Sequence, residues 1–228
     1  MLILKSQKVN KGRSPLRFLA GEVITMQALE LLFAKLFKKN YVDIKIKIKA
    51  CLLYYLGLSL RKAAKLLNIS HETVRKIYKK VKRLFNPKKK KRKAVAVDET
   101  KIYGFYIFAA IDVSSNEIIA TYASKGRSSL AALIFMKKVL KVCIGKPKLI
   151  LCDRGPWYGY ALRKLGLNYK HETFGQRNAI ERWFFLLKHR TKKFYNCFHA
   201  KSFASKFKAV YEFCLSFAAL YNLFYARR

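Results

Sequence analysis

AVAVDETKIYGFYIFAAIDVSSNEIIATYA, residues 94–123, is rich in Val, Ile, Phe and Tyr and is broken twice by turn residues, at Tyr103-Gly104 and at Ser114-Ser115-Asn116. β-branched and aromatic side chains suit a pleated, half-buried surface, so this stretch predicts three strands over 94–102, 105–113 and 117–123, the first two forming a hairpin. Downstream the period lengthens. Residues 128–142 have the spacing of an amphipathic helix with Ser128 or Ser129 as its cap, and 148–152 is a short apolar run between Pro147 and Asp153 that suits a buried parallel strand. A short helix over 158–165 ends at Gly166, a short strand follows at 168–171, and long helices cover 178–193 and 203–225. The order β-β-β-α-β-α-β-α-α predicts an α/β domain over residues 94–228, a mixed sheet flanked by helices.

Upstream the pattern is helical throughout. Helices are expected over 27–37 and over 44–56, the second closed by Gly57. Ser59 can then cap a helix over 60–67, Asn68-Ile69-Ser70 makes a tight turn, and Ser70 can cap a second helix over 71–84. Ala63, Ala64, Leu67, Ile69, Val74 and Ile77 fall where such a pair buries its inner face. An ordinary helical hairpin shares this spacing, but the charge of the second helix favours a helix-turn-helix at about 59–84 within an all-α DNA-binding domain, 1–86. Ser70, His71, Thr73, Arg75 and Lys76 would face the major groove, with Lys79, Lys80, Lys82 and Arg83 behind them for phosphates. Asn86-Pro87 ends the pattern. Lys88, Lys89, Lys90, Lys91, Arg92 and Lys93 follow without a break. Residues 87–93 therefore read as a basic linker, either a solvated connector or a contact to the DNA backbone.

The chain of 228 residues carries 49 Lys and Arg against 12 Asp and Glu, a formal net charge of +37. With 52% hydrophobic and 14% aromatic residues it can build a core, which excludes disorder as the main state. Both halves are basic: 26 against 4 over 1–97, and 23 against 8 over 98–228. Such a surplus calls for a polyanionic partner. An anionic membrane is the weaker choice, because the charge-free run 213–226 falls short of the roughly 20 residues that span a bilayer. Lys5, Lys8, Lys11 and Arg13 directly after the apolar start argue against a secretory leader. Five cysteines with no Cys-x-x-Cys pair suit free thiols in a reducing cytoplasm, and the expected location is the cytoplasm, at the nucleoid.

Three of the twelve acids sit where folding disfavours them. Asp98 lies inside a strand flanked by Val95 and Val97, Asp153 at the exit of the apolar strand, and Glu181 among Ile180, Trp183, Phe184 and Phe185 on a helix. Converging, they would hold two Mg²⁺ (or Mn²⁺) ions, since hard cations take oxygen ligands and a pair roughly 4 Å apart serves phosphodiester chemistry. Each acid also has a structural alternative: a turn and cap for Asp153, Lys101 as partner for Asp98, Arg177 or Lys188 for Glu181. Glu99 alternates to the opposite face from Asp98, and Asp112 and Glu117 flank a turn. Glu172 is the rival of Glu181, which is preferred because Arg177 and Lys188 share its helix face and would grip phosphates there.

The segments Val97-Asp98-Glu99-Thr100, Leu151-Cys152-Asp153-Arg154-Gly155-Pro156-Trp157-Tyr158 and Glu172-Thr173-Phe174-Gly175-Gln176-Arg177-Asn178-Ala179-Ile180-Glu181-Arg182-Trp183-Phe184 together resemble the DDE transposases of insertion sequences, in the IS6-type family in its archaeal form. The resemblance runs from the helix-turn-helix to the last helix. The spacing Phe174-x2-Arg177-x3-Glu181-x6-Lys188 is similar to the family's Tyr/Arg/Glu/Lys signature, with Phe where the family has Tyr. The resemblance implies an RNase H-like fold with Asp98, Asp153 and Glu181 as catalytic, metal-binding triad. It also implies Mg²⁺-dependent 3′-end nicking and strand transfer, recognition of terminal inverted repeats, and a homodimer or larger synaptic complex on double-stranded DNA. Two other functions fit the same residues: a non-catalytic DNA binder, such as a repressor or degenerate transposase derivative, and an RNase H-like nuclease or resolvase that cuts without joining.

Overall fold

A computed structural model describes residues 25–38, 41–173, 175–192 and 202–227. In it, β1 (Ala94–Ile102), β2 (Phe105–Asp112) and β3 (Glu117–Ser124) form an antiparallel meander, and β4 (Leu149–Cys152) and β5 (Tyr169–His171) add to the other side of β1 in parallel, giving the order β3-β2-β1-β4-β5. The hairpin turn has both central residues at positive φ, Tyr103 at 49° and Gly104 at 89°, as a two-residue connection between right-twisted strands requires. The edge of β3 is covered: the Asn222 side chain accepts from the Ile118 N–H at 2.7 Å and donates to its carbonyl at 2.8 Å. This is the mixed sheet flanked by helices that the strand pattern predicts.

Four helices precede the sheet: α1 (Met26–Leu36), α2 (Ile44–Leu56), α3 (Leu60–Leu67) and α4 (His71–Val81). The expected caps operate. Ser59 accepts from the Lys62 N–H at 3.2 Å and Ser70 from the Thr73 N–H at 3.0 Å, while Asn68 takes the left-handed conformation that ends α3. The second helix of the pair is shorter than its periodicity suggests, since its last turn tightens to a 3₁₀ turn over Lys82–Leu84 ahead of Asn86-Pro87. Helix α5 (Ser129–Lys141) connects β3 to β4, α6 (Pro156–Lys164) connects β4 to β5, and α7 (Asn178–Lys192) and α8 (Phe203–Tyr225) follow β5.

The two faces of the sheet bury different layers. Val95, Val97, Phe108, Ala110, Ile150 and Cys152 pack with α5 and α6. Ala96, Ile107, Ala109, Ile111 and Leu151 pack with α7 and α8, and this core runs on without a break into Phe33, Ile48, Tyr54, Val74 and Tyr78 of the four N-terminal helices. The boundary at residue 86 thus separates kinds of element, not cores. Polar ties reinforce the junction: buried Arg190 of α7 donates to the Tyr54 and Leu58 carbonyls at 2.8 and 3.2 Å, and Glu212 of α8 receives Lys79 and Lys82 at 2.8 and 2.6 Å.

Residues 88–93 do not form a free tether. The Arg92 side chain is fully buried, with Nη1 2.7 Å from Asp112 and 3.2 Å from Glu117 and Nη2 donating to the Lys88 carbonyl at 3.0 Å. Arg92 is therefore corrected from a DNA contact to a core ion-pair partner, because a guanidinium with two carboxylates and no exposure has nothing left for a phosphate. Lys90 leans on the same two acids at 3.8 and 3.5 Å. Lys88, Lys89, Lys91 and Lys93 remain exposed.

Candidate active site

Pairing of β1 with β4 places the first two acids. The register aligns Ala94, Val95 and Ala96 with Leu149, Ile150 and Leu151. Two residues beyond the last pair come Asp98, in the middle of β1, and Asp153, just past the carboxyl end of β4, both with the parity of Ala96 and Leu151 and so on the α7 face. Ligands of open α/β sheets bind at such ends. Asp98 is largely buried; Oδ1 accepts from the Glu99 N–H at 2.9 Å and Oδ2 lies 2.9 Å from Arg177 Nη2. Burial lifts its carboxyl above the usual range, Arg177 draws it back, and nearby Asp153 adds to the rise.

Asp153 Oδ1 accepts from the Gly155 N–H at 2.9 Å, so the turn-and-cap role open to it is realised through one oxygen. A Cβ at Gly155 would sit 2.7 Å from the Trp157 ring and 2.9 Å from that same oxygen, which explains a glycine there. Oδ2 makes no hydrogen bond with the described residues.

Glu181 lies in the first turn of α7, its side chain 43% exposed, with Oε1 2.5 Å from Arg177 Nη1. One guanidinium thus spans Asp98 on a strand and Glu181 on a helix. Arg177 is buried, and its Nε has no hydrogen-bond partner among the described residues. The rival Glu172 closes the turn that delivers Arg177, its Oε1 accepting from the Gln176 N–H at 2.6 Å and the Arg177 N–H at 3.4 Å. Phe174 of the family-like signature lies outside the described residues.

Glu99 keeps to the α6 face, as strand alternation requires. Its nearly buried carboxylate accepts from Trp157 Nε1 at 3.3 Å and lies 3.6 Å from Arg127, whose guanidinium sits over the Trp157 ring at 4.7 Å. Burial raises its pKa, and Asp153 and Asp98 contribute to the rise. It anchors the start of α6 behind Asp153.

Could these carboxylates hold divalent cations? The donor chemistry fits: all three are hard oxygen ligands, and Asp98 and Glu181 already clasp one cation, the Arg177 guanidinium. Among the described residues no three His, Cys, Asp or Glu side chains stand close enough together to hold a metal ion as the side chains lie.

The basic residues divide by environment. On α4, His71, Arg75 and Lys76 are exposed opposite the buried Val74, Ile77, Tyr78 and Val81, while Ser70 is engaged as the cap and shares a 2.8 Å bond with the Thr73 hydroxyl. Arg75 is held by Glu72 through two bonds of 2.7 and 2.6 Å. Lys188 opens on a groove of about 450 Å³ that also receives Lys101, Tyr103, Lys192 and Lys206. Sequence reasoning gave no DNA role to Lys101, Lys192 or Lys206. Lys192 was within reach, one turn beyond Lys188 on the same face, whereas Lys206 arrives from a separate helix. A second hollow of about 390 Å³ brings Lys35 and Lys38 beside Lys80 and Arg83.

A family model described as a DDE domain matches residues 92–217, more than half of the chain and all three acids. The chain belongs to the DDE transposase family of the IS6 type. An uncharacterized protein of Methanocaldococcus jannaschii, MJ0017, is 46% identical over 210 residues, covering 88% of this chain and 95% of that one. The uncharacterized Aquifex aeolicus protein aq_aa24 is 47% identical over 53 residues, 23% of this chain and 44% of that one. Among solved structures, the catalytic core domain of BIV integrase is similar at a TM-score of 0.40 and 16% identity, over 56% of this chain and 81% of that one. A simian T-cell lymphotropic virus intasome, solved with the PP2A regulatory subunit B56 gamma, is similar at 0.41 and 15%, over 72% and 67%. In this DDE transposase the sheet order and the helices on both faces form the mixed sheet flanked by helices expected from sequence. No helix among its described residues is long and apolar enough to cross a membrane.

Proposed function

We propose that this DDE transposase binds the terminal inverted repeats of an insertion sequence, cuts the 3′ end of the element and joins that end to target DNA, working at the nucleoid as a homodimer or larger synaptic complex. The observation that carries this is that Asp98 and Asp153 each lie two residues past the last pair of the parallel β1–β4 ladder, with Glu181 tied to Asp98 through Arg177, on a chain of net charge +37. Asp98, Asp153 and Glu181 would hold two Mg²⁺ or Mn²⁺ ions. When bound, such ions supply an activated attacking oxygen and stabilise the leaving oxygen of the phosphodiester.

The chain's own residues do the rest. His71, Arg75 and Lys76 on the exposed side of α4 read the element end, and Lys79 with Lys88, Lys89, Lys91 and Lys93 follows its phosphates. Near the carboxylates, Lys188 stands seven residues along α7 from Glu181, about 10 Å of helix. At about 3.4 Å per nucleotide along one strand, the lysine groove would hold the backbone about three nucleotides from the cut. Glu99, through Trp157, fixes the turn that presents Asp153.

The neutralising contact of Arg177 with two of the three acids favours one second function, a DNA binder that has lost catalysis. Asp98→Asn, Asp153→Asn and Glu181→Gln separate the two. Each is expected to keep duplex binding and to lose Mn²⁺-dependent cleavage of an inverted-repeat substrate, and full cleavage by any one of them sinks the assignment of that residue. Cutting without joining of the freed end would identify a nuclease or resolvase instead.

A further inference from the structure

We propose that Arg177 is a built-in counter-cation that keeps divalent metal from the carboxylates until a DNA phosphate draws it away, which makes DNA and metal bind cooperatively. This rests on the assignment of Asp98, Asp153 and Glu181 as metal ligands. The two terminal nitrogens of Arg177 occupy oxygens of two different acids, at 2.9 Å on Asp98 and 2.5 Å on Glu181. Those are oxygens a dication would need, and two cations cannot share them without strong repulsion in so buried a place. The Arg177 side chain is 8% exposed, so water does little to screen that conflict.

Three features equip Arg177 to leave. Its Nε is buried without a partner among the described residues, so its fit between the acids is incomplete. Its backbone is held separately, by the Glu172 carboxylate at the Arg177 and Gln176 N–H groups, so the side chain can swing while the start of α7 stays in place. Glu181, at the other end of the bridge, is 43% exposed, so the contact opens toward solvent, where a DNA backbone would lie. Phosphate suits the planar fork of a guanidinium as well as carboxylate does, and offers it two oxygens on one group. Removal of the guanidinium leaves Asp98 and Glu181 without their cation, on the face that Asp153 shares, and the dication then enters a place that already prefers positive charge.

The test measures metal uptake directly, by the electron paramagnetic resonance signal of free Mn²⁺ titrated with the full chain. Without DNA the wild type is expected to bind Mn²⁺ weakly, and a short duplex should tighten that binding by about ten-fold or more. By reciprocity, Mn²⁺ should tighten duplex binding, read by fluorescence anisotropy, by the same factor. Arg177→Gln should bind Mn²⁺ about ten-fold more tightly than wild type without DNA, with little further gain when duplex is added. If that variant does not melt cooperatively by circular dichroism, the two wild-type titrations still decide. Equal Mn²⁺ affinity with and without duplex, with binding abolished in Asp153→Asn, overturns the role of Arg177 while leaving the metal site standing. Failure of wild type and variant alike to take up Mn²⁺, even on DNA, overturns both.

Discussion

Replacing Arg92 with alanine separates two roles that a run of basic residues makes look alike. In the fold, Arg92 bridges Asp112 and Glu117 with no exposure of its own, and Asp112 is 2% exposed. Arg92→Ala leaves that carboxylate buried, its Oδ1 still held by the Ser114 hydroxyl and N–H but its nearest cation among the described residues now Lys90, 3.8 Å from Oδ2. Removing one partner of a buried ion pair costs about 3–5 kcal/mol, and the surviving lysine argues for the lower end, about 3 kcal/mol. At ~2–4 °C per kcal/mol for a chain of this size, the melting temperature should fall by about 6–12 °C at pH 7. The loss should also depend on pH. Burial pushes the Asp112 carboxyl up, but the Ser114 hydroxyl and Arg92 together hold it below its ordinary 3.8. A depressed carboxyl contributes its stability in full above the unfolded value and loses it as pH falls through the folded one. The difference between wild type and variant should therefore narrow below about pH 4. Thermal melts by circular dichroism at a series of pH values, beside duplex binding of the folded variant, form the assay. An unchanged melting temperature with weakened DNA binding would refute the burial argument and return Arg92 to the DNA interface. Lys89→Ala and Lys91→Ala should behave the opposite way, with unchanged melting and a smaller salt dependence of binding.

Three further outcomes are expected. Lys101→Ala combined with Lys206→Ala should lower the slope of log affinity against log salt by up to about two on any duplex, roughly 0.9 per lost phosphate contact, with no change in melting. Glu212→Gln should lose about 1–2 kcal/mol at pH 7, because Lys79 and Lys82 hold that buried carboxylate below its ordinary 4.5; the loss should fade as pH falls through the folded value, and a loss that persists at pH 3 would point to packing instead. For metal-free protein, Asp98→Asn should raise stability at neutral pH by up to about 1 kcal/mol. Its raised carboxyl adds stability only below the ordinary 3.8 and loses it as pH rises through the folded value, so melting curves of the two proteins should converge in acid.

Much of this arrangement is written in local sequence. Alternation alone places Asp98 and Glu99 on opposite faces of β1, and the structure keeps them there, one toward α7 and one against Trp157. Ser59, Asn68 and Ser70 spell out the turn between α3 and α4 with caps that operate as expected. What local sequence does not carry is pairing at a distance. The register that sets Asp98 beside Asp153 joins strands some fifty residues apart, and nothing in either strand alone states it. Arg92 shows the same limit from the other side. Within Lys88–Lys93 it is one basic residue among six, and only the return of Asp112 and Glu117 on the next two strands takes it into the core. The helix-turn-helix likewise looks self-contained, yet Tyr78 stacks at 5.5 Å on Phe213 of α8, 135 residues further on.

The placement of the remaining acids sharpens the case for the site. A chain with 12 acids among 49 basic residues can give every carboxylate a cation, so an ion pair by itself distinguishes nothing. Asp43 caps α2, Glu72 holds Arg75, Asp112 and Glu117 hold Arg92, Glu172 closes the turn before α7, and Glu212 joins α8 to α4. Apart from the exposed Glu72–Arg75 pair within α4, each of these acids serves a cap, a turn or a junction. Asp98 and Glu181 serve none: helix α7 has its buried Trp183, Phe184 and Leu187 to seat it on the core, and β1 has eight residue pairs with β2 to hold it. Acids that the architecture does not need, one inside a strand and one on the helix that follows, sharing a single buried cation, are the arrangement expected where negative charge is kept for a ligand rather than for the fold.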